Sequence, residues 1–273
     1  MISFPNAKIN IGLNIVEKRP DGFHNLETCF VPIGWKDVLE VVENDQLEFK
    51  SFGLQIDGDV ENNLCLRAFH LLNKDFRLPP VKIVLQKNIP MGGGLGGGSS
   101  DAAFTLKLLN EKFNLSIDEE KLRQYAEQLG SDCAFFVSNK PCMGYDKGNL
   151  LKPIHLNLSG FHLLVIYPKL HVSTQLAYSM VKPQKPEHKL EEVLKNSPVE
   201  EWKNLVRNDF EFSVFKAFPE IEKIKNTLYD LNATYSQMSG SGASVFGIFK
   251  EKPETDWIKR LSYPFWHGEL NFE

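Results

Sequence analysis

A glycine-rich segment at residues 90–101, PMGGGLGGGSSD, restricts the folding of this chain more than any other feature. Its six glycines lie between residues 92 and 98. Glycine reaches positive φ without strain and carries no Cβ, so such a loop can approach a ligand closely. Alternating apolar residues over 81–87 predict a strand before the loop, and residues 102–109 predict a helix after it. The order strand, loop, helix is typical of a binding site rather than of a linker.

The residues that close this loop favour an anionic ligand. Ser99, Ser100 and Asp101 are residue types that cap helix N-termini, so the helix is predicted to begin at these positions. An anion here would meet loop N–H groups and the positive end of the helix dipole. No lysine follows the last glycine, as a P-loop requires, and the dinucleotide fingerprint does not account for the Ser-Ser-Asp sequence. We therefore predict a phosphate loop of a third kind, the alternative being a flexible turn.

The amino-acid composition of the chain excludes only a few classes of protein function. A chain of 273 residues with 42% hydrophobic content can bury a large core, in one large or two small domains. The net charge of −4 argues against a nucleic-acid partner. Without a long apolar run or a signal-peptide core, the chain is predicted to be cytoplasmic and to have no membrane partner. The four cysteines and seven histidines show no metal-ligand spacing, so we predict reduced thiols and no protein-built metal site.

Two further clusters of small residues accompany the glycine loop. Residues 238–244, MSGSGAS, precede an apolar run at 244–249 that predicts a strand. Residues 130–132, Gly-Ser-Asp, follow a helical pattern that ends at the glycine. Taken singly, a Gly-Ser-Gly is more often a plain loop, and an aspartate after such a glycine is more often an N-cap. The sequence alone therefore leaves both interpretations open.

Three segments, in order, resemble the motifs of the GHMP superfamily of small-molecule kinases, which includes galactokinase, homoserine kinase, mevalonate kinase and phosphomevalonate kinase. They are residues 5–10 (PNAKIN), 90–100 and 238–243. Residues 8–13 (KINIGL) and 18–28 (KRPDGFHNLET) are very similar to the GHMP kinases of the non-mevalonate isoprenoid pathway. The resemblance extends over nearly the whole chain.

The resemblance implies an α+β fold with two lobes. Residues 1–152 would form an ATP-binding lobe like a ribosomal-protein α/β domain, and residues 153–273 a lobe of helices on an antiparallel sheet. The implied reaction is ATP-dependent phosphorylation of the 2-hydroxyl of 4-diphosphocytidyl-2-C-methyl-D-erythritol, which gives the 2-phosphate and ADP. Mg²⁺ would be carried mainly by nucleotide and water. The implied partner is a small molecule, and the protein is expected to be a monomer or a weak homodimer.

The resemblance also assigns roles to residues. Asp132 would accept the proton of the substrate hydroxyl or act as an electrostatic positioner, and Lys8 would stabilise charge, the alternative being a solvated strand lysine. The residues expected at ATP are Asn63, Lys87, Pro90, Met91, Gly92, Gly93, Gly94, Leu95, Gly96, Gly97, Gly98, Ser99 and Ser100. The residues expected at the substrate are Asn10, Phe23, His24, Thr174, Tyr178, Ser239 and Gly240.

Some of these substrate assignments leave alternatives open. Phe23 and Tyr178 would sandwich the cytosine ring while His24 bonds the base edge, although Tyr178 also fits a core aromatic and the family commonly has Tyr where Phe23 stands. Residues 142–150 depart from the family's usual turn. A kinase for another alcohol is disfavoured by residues 21–28 with Tyr178. A silent nucleotide- or RNA-binding module is disfavoured by the net charge and by Lys8 with Asp132.

Overall fold

A computed structural model describes residues 1–179 and 181–271 of the chain. The strands are β1 (Ile2–Ser3), β2 (Asn6–Lys18), β3 (His24–Lys36), β4 (Val38–Glu43), β5 (Glu48–Gly53), β6 (Val81–Lys87), β7 (Cys142–Tyr145), β8 (Leu150–Pro153), β9 (His162–Ile166), β10 (Tyr235–Met238), β11 (Val245–Phe249) and β12 (Phe265–Glu269). The helices are α1 (Leu64–Phe76), α2 (Gly97–Lys112), α3 (Glu119–Leu129), α4 (Cys133–Ser138), α5 (Thr174–Ser179), α6 (Leu190–Asn196), α7 (Trp202–Leu205), α8 (Phe210–Ala217), α9 (Pro219–Asp230) and α10 (Asp256–Leu261). The α+β prediction is confirmed.

The chain divides into two compact units, each built from separate stretches of sequence. The first unit comprises Met1–Ala7, Gly34–Met91 and Gly96–Lys140. The second unit comprises Lys8–Ile33, Gly92–Leu95 and Pro141–Glu273. The glycine loop thus contributes residues 92–95 to the second unit, while its later residues belong to the first. The two-lobe boundary near residue 152 stays a prediction.

The first unit contains the sheet β1-β4-β6-β5 and the helices α1 to α4. In β6, which pairs antiparallel with β4 and parallel with β5, Val81, Ile83 and Leu85 are all buried, so the predicted alternation is confirmed. The predicted start of α2 was wrong by two residues. The helix begins at Gly97 with Gly96 as its N-cap at φ +70°, because the glycine adopts the left-handed conformation at little cost. Ser99 and Ser100 consequently lie in the first turn of α2.

The second unit contains the antiparallel sheet β10-β11-β9-β12 and most of the sheet β2-β3-β7-β8. One face of β11 and β9 packs on α8 and α9, where Val214, Ile221 and Leu228 are buried in one apolar cluster. Leu13 and Ile15 of β2 join the same cluster. This packing fixes β2, the strand that carries Lys8 and Asn10. The four cysteines are free and buried, as predicted for reduced thiols.

Candidate active site

Lys8 in β2 points into the second unit, since its side chain is only 3% exposed. Its Nζ donates to Asn10 Oδ1 at 2.5 Å and to the carbonyl oxygen of Gly94 at 3.1 Å, and its backbone N–H donates to the carbonyl of Leu95 at 2.9 Å. Nζ also lies 5.4 Å from the centroid of the Phe30 ring. A solvated strand lysine would not bury its ammonium group against these partners, so the surface alternative for Lys8 is wrong.

Asn10 is the centre of a buried hydrogen-bond cluster next to Lys8. Its side-chain nitrogen donates to Thr28 Oγ1 at 3.0 Å, and Thr28 in turn donates to the carbonyl of Gly12 at 2.6 Å. Its backbone N–H donates to Ser239 Oγ at 3.1 Å. These bonds fix the orientation of the Asn10 amide, because each of its polar ends has a partner. The predicted contact of Asn10 with the acceptor alcohol stays a prediction.

The first half of the glycine loop packs on the 238–244 cluster, within the second unit. A Cβ on Gly94 would lie 2.1 Å from the carbonyl oxygen of Ser239, and Gly94 has φ +75°. A Cβ on Gly93 would lie 2.8 Å from Ser244 Oγ. Glycine is therefore required here by the close approach of two loops as well as by any ligand.

The Ser239 side chain joins the two loops. Its Oγ donates to the carbonyl of Gly94 at 2.9 Å while it accepts from the N–H of Asn10. The Ser244 N–H donates to the carbonyl of Gly93 at 3.1 Å. Ser239 and Gly240 are both buried, and a Cβ on Gly240 would lie 3.2 Å from Asn10 Oδ1. The structure thus brings together five sequence-predicted residues: Lys8, Asn10, Gly94, Ser239 and Gly240.

The first unit contains a cavity of about 320 Å³, a volume usual for a small-molecule pocket. Four of its lining residues were predicted to bind ATP: Asn63, Lys87, Met91 and Gly98. Apolar side chains at Phe49, Ile56, Val60 and Leu64 supply much of the remaining wall. The Asn63 side-chain oxygen accepts from the N–H of Cys65 at 2.9 Å and caps α1, which holds its amide group at the pocket wall.

Lys87 lies in the wall of this cavity, but its ammonium group is bound by two carboxylates. Nζ donates to Asp37 Oδ2 at 2.5 Å and to Asp101 Oδ2 at 2.7 Å, and the lysine side chain is 1% exposed. Asp37 Oδ1 also accepts the N–H groups of Asn88 and Ile89, at 2.6 and 2.8 Å. The predicted contact between Lys87 and adenine stays a prediction, and these bonds give the residue a structural role.

Burial and charge act in opposite directions on this cluster. Burial favours the neutral amine of Lys87, but Asp101 and Asp37 outweigh it and raise the pKa of the lysine. Burial raises the pKa of Asp101, and the lysine offsets that only in part. A Cβ on Gly97 would lie 2.9 Å from Lys87 Nζ, so the ammonium packs directly against the start of α2.

The first turn of α2 presents backbone N–H groups and two serine hydroxyls. Ser100 Oγ is buried and has no hydrogen-bond partner among the residues that the structure describes. Ser99 lies near Cys133, the first residue of α4. Burial raises the pKa of the Cys133 thiol to about 11, with a hydrogen bond to Ser99 opposing. The helix start therefore has the donors and the dipole that an anion requires.

Asp132 occupies the N-cap position of α4, and its side chain makes no capping hydrogen bond there. Its carboxylate is partly exposed, and its charge contributes to raising the pKa of Cys133, after burial. The alternative assignment of Asp132 as an N-cap is therefore correct for its position at the start of α4. Its side chain, however, does not bond the N–H groups of that helix. Its catalytic assignment stays a prediction.

The predicted cytosine-binding aromatics lie in the second unit. The His24 ring stacks on Tyr178 at a centroid distance of 4.8 Å and an interplanar angle of 26°, and Tyr178 meets Phe210 edge to face at 4.7 Å. Phe23 is 57% exposed, and Lys147 Nζ lies 4.6 Å from its ring centroid. Burial lowers the pKa of His24, which favours the neutral imidazole. The sandwich of Phe23 and Tyr178 stays a prediction, as does the role of Thr174, which begins α5.

The turn that carries Phe23 is held by the segment whose shape the sequence left in doubt. Residues 142–150 form β7, a tight turn and the start of β8, with Asp146 at φ +58°. The Asp146 carboxylate pairs with Arg19, and its carbonyl accepts the N–H of Leu26 at 2.7 Å. Arg19 also bonds the side chains of Asp21 and Asn25.

Several residues of these clusters were not identified from the sequence. Thr28 lies in a quoted motif but received no role, and Asp37 lies 50 positions from its lysine partner. Asn208 binds the 238–240 turn from a segment without any motif. Of these three residues, only Thr28 could have been identified from the sequence, because it lies in the same motif as Phe23 and His24. The other two are recognisable only from three-dimensional contacts.

Neither a metal centre nor a membrane span is present among the residues described. No group of three or more His, Cys, Asp or Glu side chains within residues 1–179 and 181–271 is arranged to hold a metal ion. Over the same residues, no helix has the length and apolar character needed to cross a bilayer.

Comparisons with known proteins agree with this geometry. The sequence profile of the GHMP kinases N terminal domain matches residues 63–140, and that of the GHMP kinases C terminal matches residues 190–260. A Bacteroides fragilis protein named 4-diphosphocytidyl-2-C-methyl-D-erythritol kinase is 55% identical over 91% of this chain and 92% of its own length. A Parabacteroides distasonis protein of the same name is 50% identical over 99% of this chain and 100% of its own.

Solved structures give the same result for the fold. The crystal structure of a 4-(cytidine 5'-diphospho)-2C-methyl-D-erythritol kinase is 30% identical, covers 100% of both chains and has a TM-score of 0.81. The Methanococcus jannaschii mevalonate kinase is 16% identical over 99% of this chain and 98% of its own, with a TM-score of 0.74. At that identity, the second likeness concerns the fold alone.

Proposed function

The chain belongs to the GHMP kinase family, and from that premise we propose that it transfers the γ-phosphoryl group of ATP to the 2-hydroxyl of 4-diphosphocytidyl-2-C-methyl-D-erythritol. The products are ADP and the 2-phosphate of this alcohol, an intermediate of the non-mevalonate isoprenoid pathway. The observation that carries the proposal is the 55% identity to a kinase of that name over 91% of the chain. The inward-facing Lys8 and the phosphate-type loop agree with it.

The first unit supplies the adenine pocket in this proposal. The adenine ring occupies the cavity of about 320 Å³, against its apolar wall, with the Asn63 amide as a polar contact. The phosphates meet the glycine loop and the first turn of α2, because N–H groups and the helix dipole favour negative charge there. Lys87 lies in the wall of the same cavity, with its ammonium group held by Asp37 and Asp101.

Catalysis in this proposal rests on positioning and charge stabilisation, as phosphoryl transfer generally does. A bond forms between the substrate 2-oxygen and the γ-phosphorus while the bond to the β-phosphate oxygen breaks, and ADP leaves. Asp132 accepts the proton of the 2-hydroxyl. Lys8 stabilises the charge that develops, and its bonds to Asn10 and Gly94 hold its ammonium group in place.

Mg²⁺ fits this chain as an ion that accompanies ATP. The residues described supply no carboxylate or histidine cluster for it, whereas Mg²⁺ in kinases is held largely by phosphates and water. The ion supplies neutralisation of phosphate charge when it is bound.

Recognition of the substrate falls to the second unit. Phe23 and Tyr178 provide flat apolar faces for cytosine, and a neutral His24 can both donate to and accept from the base edge. Thr174, Asn10, Ser239 and Gly240 contact the acceptor end in this proposal. We further propose that the protein acts in the cytoplasm, as a monomer or weak homodimer, without a membrane or nucleic-acid partner.

A coupled ADP-release assay tests the proposed function. The purified protein is supplied with Mg-ATP and with the CDP-linked alcohol, mevalonate, homoserine or no acceptor. We expect turnover with the CDP-linked alcohol alone. Turnover confined to another alcohol would keep the kinase family but overturn the roles of Phe23, His24 and Tyr178, and absence of turnover with every acceptor would overturn the proposal.

A further inference from the structure

Asn208 is buried beside β2 in the second unit, with 3% of its surface exposed. The segment around it runs along β2, since the Leu13 N–H donates to the carbonyl of Arg207 at 2.9 Å and the Asp209 N–H donates to the carbonyl of Leu13 at 2.8 Å. Asp209 Oδ2 accepts the N–H of Ile15 at 2.7 Å. The backbone that carries Asn208 is therefore fixed to the strand that carries Lys8.

Both polar atoms of the Asn208 side chain take part in hydrogen bonds. Its Nδ2 donates to the carbonyl oxygens of Met238 and Gly240, both at 2.8 Å, and its Oδ1 accepts the N–H of Phe210 at 3.0 Å. The two carbonyls are those immediately before and after Ser239. A buried amide with all its partners satisfied holds them more firmly than a mobile surface group would.

These two bonds determine which side of the turn faces the glycine loop. In a trans peptide, C=O and N–H point in opposite directions, so a Gly240 carbonyl turned towards Asn208 directs the Ser241 N–H away from it. Between the two carbonyls lies Ser239, whose hydroxyl bonds the Gly94 carbonyl. The same Gly94 carbonyl accepts from Lys8 Nζ.

We propose that Asn208 is a positioning residue for phosphoryl transfer, which acts through Ser239 and Gly94 on the ammonium group of Lys8. This inference rests on the proposed kinase function. Asn208 contacts neither Lys8 nor Gly94 in the hydrogen bonds above, so its effect passes through the 238–240 turn. Misplacement of a catalytic group by about 1 Å can reduce a rate on the order of 100-fold.

The Asn208→Asp variant tests the proposal because it is nearly isosteric. The carboxylate keeps an acceptor for the Phe210 N–H, but it loses both donors and opposes two carbonyl oxygens. We expect kcat to fall about 100-fold, with a much smaller change in the KM for ATP. Asp209→Asn is the matched control, since its side-chain oxygen can still accept from Ile15, and its kcat should stay close to that of the wild type.

Two further readouts separate positioning from general destabilisation. As pH falls, the carboxylate that the Asn208→Asp substitution buries takes up a proton and regains one donor, so the kcat of this variant relative to the wild type should rise. In a protein that already carries Ser239→Ala, the Asn208→Asp substitution should lower kcat much less than it does in the wild type. The two residues act on Lys8 through the same contacts, so the effects of their substitutions are not additive. If Asn208→Asp does not fold, Asn208→Ala, which buries no new charge, replaces it in the kcat and additivity measurements.

Amide hydrogen exchange over residues 238–244 provides a test that does not depend on the substrate. We expect faster exchange in the Asn208 variants than in the wild type and in Asp209→Asn. Unchanged exchange, a kcat near that of the wild type, or full additivity with Ser239→Ala would each overturn the inference. If the wild type does not phosphorylate the CDP-linked alcohol, the proposed function fails, and the exchange result alone decides whether Asn208 positions the turn.

Discussion

Ser239 donates a hydrogen bond to the carbonyl oxygen of Gly94 at 2.9 Å, although the two residues are 145 positions apart in the sequence. The same carbonyl accepts from Lys8, so one backbone oxygen links the lysine and the two glycine-bearing loops of the second unit. A Cβ on Gly94 would lie 2.1 Å from the carbonyl oxygen of Ser239. The contact is therefore compatible only with glycine at this position.

Substitution Gly94→Ala should disrupt this contact and abolish most of the turnover. The backbone must shift to relieve the overlap with Ser239, and the shift moves the acceptor of Lys8. Gly160→Ala is the control, because Gly160 has φ +82° but nothing within 4 Å of a Cβ. It should show only the strain of a left-handed conformation, about 1–2 kcal/mol of unfolding free energy. Equal activity of the two variants in the ADP-release assay would contradict the prediction.

Asp132→Asn should keep the fold and ATP binding but lose phosphoryl transfer, because an amide cannot accept the hydroxyl proton. Single-turnover kinetics with ATP titration measures both effects. Asp118→Asn serves as the control, since Asp118 caps α3 by accepting from the N–H of Lys121 at 2.7 Å and an asparagine oxygen can do the same. Near-normal turnover of Asp132→Asn would rule out its assigned role.

Lys87→Met should destabilise the first unit strongly. It leaves Asp37 and Asp101 buried without their cation, and breaking such a cluster costs about 3–5 kcal/mol. Lys82→Met on the same strand removes a partly exposed pair with Glu48, which should cost less than about 1 kcal/mol. Urea unfolding compares the two. A stable Lys87→Met protein with only a raised KM for ATP would instead support direct contact of Lys87 with adenine.

Tyr178→Ala should weaken binding of the CDP-linked substrate more than binding of ATP. Stacking of a base on an aromatic ring contributes about 1–3 kcal/mol, so KM for the alcohol should rise at least severalfold. Phe212→Ala is a suitable control, because this aromatic of the same unit is 75% exposed. Equal increases in both KM values for Tyr178→Ala would exclude the cytosine sandwich.

Glu191→Gln should lower stability in a pH-dependent manner. Hydrogen bonds from Lys195, Tyr145 and Lys152 lower the pKa of Glu191 from 4.5 to about 2. A carboxyl with a lowered pKa stabilises the fold above its unfolded pKa, and this contribution is lost as pH falls through the folded pKa. The difference in urea midpoint between the variant and the wild type should therefore be full at about pH 7 and shrink as the pH falls from 4.5 to about 2. Glu192 is an exposed neighbour, so Glu192→Gln should leave the urea midpoint close to that of the wild type at neutral and at acidic pH.

The strongly periodic elements and the motif residues were predictable from the sequence. The strand over 81–87 and the helix that ends at Gly130 are confirmed, because the apolar face of each is buried in a core. The strand predicted from the apolar run at 244–249 coincides with β11. The fold class and the kinase family followed from the three ordered motifs, which carry specific loop chemistry.

Side-chain partners were not predictable, because they depend on long-range contacts. The contact of Lys87 with ATP stays a prediction, but the two carboxylates that bind its ammonium group, Asp37 and Asp101, were not assigned to it from the sequence. The start of α2 was predicted at Ser99 to Asp101, because the pattern contains good caps, but Gly96 adopts the left-handed conformation and starts the helix earlier. His24 was assigned to the base edge alone, and its stacking on Tyr178 has no signal in the sequence.

The interleaving of the second unit bears on how the protein is synthesised. Residues 8–33 leave the ribosome before the rest of the second unit, but Asn10 needs a serine 229 positions later, and Gly12 needs a glutamine 225 positions later. Contacts between such distant positions form slowly, and nascent chains begin to fold from their N-terminus. Asn10, whose amide oxygen accepts from Lys8, is thus translated long before the serine that bonds its backbone. A chain that ends before residue 237 would carry Lys8 and the glycine loop without the turn that bonds Asn10 and Gly94, so such a chain would be inactive.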